Sequence, residues 1–367
     1  MRPEMTRRQS ARRPESGPVK RGFLRPGALC SLAAAAVLAF AGAGTAVAQP
    51  SGGPGAPAAR ATTASSGSAG SSNSTARLSD GTVVDSAAAA SKVQDYWTPE
   101  RMKNAIPLDA PDPGTPPSGS AGPAAAPTGE PGSTEPVAPT VPGRAGLREP
   151  LINESAAVGK VFFTDPSDGK DHVCSGSALN SPSRQLVITA GSCVHGGQGK
   201  TWMTNWIYAP RYRSSSYPFG TYAAKQFRAF DAWMSSSAPS RNVGLVTTWP
   251  QNGTRLVDAT GGQGLSWNYP QNVDVTALTY SLDRSDGEIQ QWCTGTTARG
   301  YFSGTIGLYC SLGTRSPGGP WLREFDNSTG LGHVNGVMSA IDCSDWNQSS
   351  YFDDGVKSMV DAQGSVT

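Results

Sequence analysis

The stretch Leu312-Gly313-Thr314-Arg315-Ser316-Pro317-Gly318-Gly319-Pro320-Trp321 decides how the rest of the chain is read. It has three upstream companions. Cys174-Ser175-Gly176-Ser177-Ala178-Leu179 leads to Leu186-Val187-Ile188-Thr189-Ala190-Gly191-Ser192-Cys193, and Ser240-Arg241-Asn242-Val243-Gly244-Leu245-Val246 follows. All four lie in a region of short β-branched or aromatic runs bounded by Asp-Pro, Asp-Gly and Ser-Pro turn signals. The runs cover 158–164, 173–179, 185–189, 202–208, 222–229, 243–249, 273–280, 288–296, 306–310 and 333–341. Many short strands with few helical patterns predict an all-β domain over 149–367, as two small barrels or a sandwich. A final amphipathic stretch, 352–360, predicts one helix.

Composition separates this domain from what precedes it. Of the 29 prolines 20 fall in the first 150 of 367 residues, and 37% hydrophobic content is thin for a core shared by the whole chain. The net charge of +2 hides a split: residues 1–48 hold eight basic and two acidic side chains, whereas the remainder is mildly acidic. That balance gives no support to nucleic-acid or anionic-membrane binding, and no nucleic-acid partner is expected.

Residues 1–48 read as a secretory signal, with an Arg-rich start, an apolar run from Ala28 to Ala43 and a small-residue cleavage site at Ala46-Val47-Ala48. The apolar run is too short to span a bilayer, so no stable membrane insertion is expected of the mature chain. Arg7-Arg8 and Arg12-Arg13 raise a twin-arginine route beside the general one, but lack the apolar residues expected after them. Either route delivers the chain to an extracellular, oxidising setting where disulfides persist. Residues 49–148 are rich in Ala, Ser, Gly and Pro and read as a largely disordered pro-region or linker. They hold one helical segment at 83–106, with Thr98-Pro99-Glu100 opening its second turn.

From Val158 to Gly355 the chain resembles the trypsin-like, chymotrypsin-fold serine proteases of the secreted bacterial type. The resemblance implies two six-stranded antiparallel β-barrels and places three catalytic positions. The histidine of the family's Thr-Ala-Gly-His-Cys is matched by Ser192, the aspartate of its Asp-x-Ala/Gly-Leu run by Asn242, and the serine of its Gly-x-Ser-Gly-Gly-Pro loop by Pro317. An amide in the aspartate's place typically costs about 10⁴ in turnover. Proline removes the hydroxyl and also a backbone N–H. In the family that N–H is one of two oxyanion-hole donors, and losing one costs about 10²–10³. The other donor's glycine is matched by Arg315, so Arg315, Ser316 and Pro317 form a former oxyanion loop. The resemblance thus implies a pseudoprotease with no catalytic residues, acting by binding a peptide or protein along the old cleft.

Two other readings stay open: an active peptidase with a rearranged site built on His195 or His333 and Ser316, and a passive extracellular component. His195 lies three residues beyond the base position and matches an extra histidine of some bacterial members. His172 and His333 fall on predicted strands, where a structural role is the usual one. The resemblance makes His333, Val337 and Ser339 a candidate pocket wall, because some acid-specific members bind a carboxylate near there. It also pairs Cys174 with Cys193 and Cys293 with Cys310, leaving Cys343 over. The segment Tyr96-Trp97-Thr98-Pro99-Glu100-Arg101-Met102 resembles the pro-segment ahead of some secreted bacterial proteases, with a surface linker as the alternative.

No cofactor is expected. The Cys and His spacings lack a zinc pattern, and Asp165, Asp168 and Asp171 lack a calcium-loop pattern and read as a solvated turn. The Asn-x-Ser/Thr sites and the aromatic set Trp202, Trp206, Tyr208 and Tyr212 point to no ligand; the aromatics read as barrel core.

Overall fold

The computed structural model describes residues 70–108, 129–141, 154–313, 317–341 and 345–367. The expected leader, Cys30, Arg315, Ser316 and Cys343 lie outside them. The first half of the β-domain is a closed antiparallel barrel. Six strands pair in a ring: Val158–Asp165, Lys170–Leu179, Leu186–Thr189, Gly244–Thr248, Tyr222–Phe230 and Thr204–Pro210, the last returning to the first. Closure gives every strand of this ring two neighbours, while strand ends that outrun a neighbour keep short open edges. Strand Val158–Asp165 is buried at every position. Its lack of a clean apolar–polar alternation therefore reflects cover on both faces, with Lys160 and Thr164 buried among apolar neighbours.

Part of that cover is the segment ahead of the barrel. Within the stretch read as disordered, Ser71–Thr75 forms a strand on the edge of Tyr222–Phe230, registered from Ser71 opposite Phe230 to Thr75 opposite Gln226. Composition argued against order there because the segment has little to bury. The strand instead satisfies its backbone on an existing sheet. The predicted helical segment forms two short helices, Ala87–Tyr96 and Pro99–Asn104, each opened by a hydroxyl cap. Ser86 Oγ accepts from the Ala89 N–H, and Thr98 Oγ1 from the Arg101 N–H. Val84, Val93, Trp97 and Met102 are buried in the same core as the barrel. The Trp97 ring lies 5.5 Å from that of Phe162, and its indole N–H donates to the Asn205 carbonyl.

The second half departs from the expected second six-stranded barrel. Its strands divide between a six-stranded sheet and a four-stranded sheet. The larger contains a parallel pair, Gly264–Trp267 with Leu331–Val337, and takes Gly132–Ser133 as an edge strand. The ladder changes partner after Val337: the Ser339 N–H donates to the Gln348 carbonyl, in the smaller sheet. At the same level Asn335 is an extra residue opposite Trp321–Leu322, a bulge that bends strand Leu331–Val337.

The expected C-terminal helix and both expected disulfides are present. The C-terminal helix is Asp354–Gly364, capped by Asp353, whose Oδ1 accepts from the Gly355 and Val356 N–H groups. Disulfides join Cys174 to Cys193 and Cys293 to Cys310, with Cα separations of 6.2 and 6.1 Å. None of the described helices is long and apolar enough to cross a membrane.

Residues 129–141 fasten to this half through Asp258. Its Oδ1 accepts from Thr140 Oγ1 at 3.1 Å and faces Arg184 Nη1 at 2.5 Å, while Oδ2 faces Arg255 Nε at 2.6 Å. Burial by itself would raise the carboxyl pKa, but bonds to Arg184, Arg255 and Thr140 prevail and hold it below the ordinary 3.8. A depressed carboxyl pKa stabilises the fold above the unfolded value, and that contribution fades as pH falls through the lower folded value. Melting temperatures followed from pH 5 down to 2 should therefore fall more steeply in the wild type than in Asp258→Asn below about pH 4.

Candidate active site

The turn Gly191–Cys193 follows strand Leu186–Thr189 and is held by the Cys174–Cys193 bridge. Its Ser192 N–H donates to Asn242 Oδ1 at 2.8 Å. The Asn242 amide in turn donates through Nδ2 to the Ser339 carbonyl at 3.3 Å. This is a fit for an amide: one end accepts, the other donates, and both partners are main chain. Gly191 permits the approach, since a Cβ there would lie 3.0 Å from both Asn242 Oδ1 and the Trp233 ring. Arg241, next in the chain, forks onto Asp353 at 2.8 and 3.0 Å, tying this segment to the C-terminal helix. The three-dimensional fold thus brings Ser192, Asn242 and Ser339 together from three separate stretches.

Beside them is a cavity of about 400 Å³, lined by Ser192, Asn242 and Ser339 together with Trp233, Met203 and Leu108 among others. Ser192 Oγ is buried and without a partner. Pro317 does not line the cavity. Its carbonyl accepts from the Ser175 N–H at 2.8 Å, which fastens the loop across the strand that carries Cys174. Gly318 follows with a φ of +89°, and a Cβ there would strike the Ser175 carbonyl, so only glycine lets the loop lie this close.

None of the three histidines lines the cavity. His195 is buried, its Nδ1 accepts from the Gly197 N–H at 3.1 Å, and burial lowers its pKa. The ring packs edge-on against Trp202. His172 lies 3.0 Å from Asp168 through Nε2 and stacks on Phe163. With Asp165 these two residues form the one group of potential metal ligands among the described residues, ligand atoms within 4.8 Å of one another. Asp171, which the sequence placed in the same turn, bonds instead to Tyr96, Thr164 and Arg101. His333 lies on strand Leu331–Val337 with Nδ1 3.4 Å from Glu324. Of the three residues read as a pocket wall, Ser339 lines the cavity; His333 faces Gly264 and Glu324, and Val337 is fully buried. Leu108, Trp233 and Met203 were not singled out in the sequence, and only the 106–108 pairing described below explains how Leu108 arrives here.

No family model matches the chain. Short stretches are similar to an extracellular metalloprotease of Bacillus subtilis, 31% identical over 81 residues, and to a lysyl endopeptidase of Pseudomonas aeruginosa, 40% identical over 60 residues. Those matches take in 22% and 15% of this chain and only 25% and 13% of the relatives' own lengths. The structure is similar to that of the protease Anisep of Arthrobacter nicotinovorans, with a TM-score of 0.54 and 26% identity over 58% of this chain and 98% of the other. It is similar in the same degree to the thermostable serine protease AL20 of an extremophilic microorganism: TM-score 0.54, 24% identity, 58% and 99% covered. The chain therefore has the chymotrypsin-like fold of these bacterial serine proteases.

Proposed function

We propose that this chain is an extracellular serine-protease homologue that has lost peptide cleavage and works by binding an extended peptide or protein segment. The observation that carries the reading is the Ser192–Asn242 pair. At the positions matched to the family's base and its orienting acid, a serine N–H and an amide oxygen bond directly at 2.8 Å. A general base must come within hydrogen-bond reach of the proton it takes. None of the residues lining this cavity is an imidazole, and proline at 317 has neither hydroxyl nor N–H to offer. The two disulfides fit an oxidising, extracellular location.

Reaction of the purified protein with a fluorophosphonate probe for serine hydrolases tests the loss of catalysis. No labelling is expected. Stoichiometric labelling that disappears in Ser316→Ala would overturn the reading in favour of a rearranged peptidase site.

A further inference from the structure

Strand Lys170–Leu179 pairs along one side with Val158–Asp165. On its other side it meets Leu186–Thr189 only from Ser177 onward. The edge from His172 to Ser175 is thus left to other partners, and there are two. Ile106 and Pro107 lie parallel to His172 and Val173, and the Leu108 N–H donates to the Val173 carbonyl at 3.0 Å. Two residues along, the Ser175 N–H donates to Pro317. Alternate residues of a strand present their backbone groups to the same side, so Leu108 and Pro317 are successive occupants of one edge. The Leu108 side chain also lines the cavity beside Ser192 and Asn242.

This short strand is held differently from the segment before it. Trp97, Met102 and Ala105 are buried, whereas Ile106 is 40% exposed and Pro107 and Leu108 are half-buried. A two-residue strand with an exposed first side chain is bound as a peptide ligand is bound, by main-chain pairing with side chains set in alternate positions. We infer that the His172–Ser175 edge is a docking site for an extended apolar-Pro-apolar peptide, and that Ile106–Leu108 is the chain's own competing occupant. The inference rests on the proposed peptide-binding role and names the partner's chemistry: a branched apolar residue, a proline that needs no donor, and an apolar residue reaching the cavity.

A tethered strand competes at an effective concentration in the millimolar range. A free peptide binding with a Kd of about 0.1 mM should therefore bind the full chain about tenfold more weakly than a variant whose own strand is undocked. The test uses the full chain, the double variant Ile106→Asp, Leu108→Asp and the milder Leu108→Ala. The probe is fluorescein-labelled Lys-Asn-Ala-Ile-Pro-Leu read by anisotropy, with its Ile and Leu replaced by Asp as the control peptide. Expected are tighter binding of the probe by both variants than by wild type, about tenfold for the double variant, and no binding of the control. Equal binding to wild type and variants, or none to the variants, would overturn the inference. So would unfolding of both variants in a thermal melt, which would make the strand a structural staple. Mass spectrometry of the recovered peptide separates the two readings, since a cut peptide sinks the non-catalytic role and leaves the docking edge standing.

Discussion

The triple variant Ser192→His, Asn242→Asp, Pro317→Ser is expected to take up one fluorophosphonate per chain and to hydrolyse activated esters above the wild-type baseline. The substitutions supply a base, an orienting carboxylate and a nucleophile at positions that the fold already brings together in part: Ser192 and Asn242 are in direct contact. Replacing proline also returns an N–H to the loop. The rate should nonetheless be low for two stated reasons. Asn242→Asp gives up the amide donor that now satisfies the Ser339 carbonyl at 3.3 Å, and a buried carbonyl left without its donor costs about 1–3 kcal/mol. Arg315 also remains where the family has its second oxyanion-hole glycine. Adding Arg315→Gly should therefore raise the rate about 10²–10³-fold. A fourfold variant that folds, by circular dichroism and thermal melt, yet takes up no probe would mean that these positions are not those of the triad.

Trp97→Ala is expected to destabilise the barrel by about 3–5 kcal/mol, the usual range for deleting a buried tryptophan. Against a total of about 5–15 kcal/mol for a domain, that approaches global unfolding. Trp97 is 3% exposed, packs on Phe162 of the first barrel strand, and donates to the Asn205 carbonyl. The substitution also leaves that buried acceptor unmet. Urea unfolding followed by circular dichroism should show a lowered midpoint at unchanged slope. A loss below about 1 kcal/mol would show that residues 70–105 sit on the barrel without contributing to its stability.

How much of this was legible before folding differs from residue to residue. Ten predicted runs recur with edges shifted by a few residues, because they are short and bounded by turn chemistry, whereas strands Gly264–Trp267, Pro320–Asp326 and Trp346–Ser350 were not read. The C-terminal helix was legible from its amphipathic period, although it begins only after its Asp353 cap and runs on to Gly364. The disulfide pairings followed from the resemblance and stand as expected. Two expectations failed for physical reasons. Ser71–Thr75 has no apolar content to signal a strand, because its order comes from hydrogen bonds to an edge supplied 151 residues later, where Gln226 lies opposite its last residue, Thr75. The second set of strands does not pair as one six-stranded ring, because a bulge and a change of ladder partner after Val337 divide it between two sheets.

The amino-acid sequence by itself determined the chemistry that is present and the chemistry that is not. Serine, asparagine and proline stand at the three positions that the resemblance matches to a triad, on which the proposed loss of cleavage rests, and no tertiary arrangement can give proline a hydroxyl or an N–H. It also determined the fold class, since periodicity, turn residues and cysteine placement are local properties. Only the tertiary structure decided what surrounds those positions. It joined the Ser192 N–H to the Asn242 amide, turned His195 to the Gly197 backbone, and laid Leu108 beside Pro317 on one strand edge. Those are encounters between residues far apart in the chain. They depend on which edges the barrel leaves open, and a pattern of residue types does not record that.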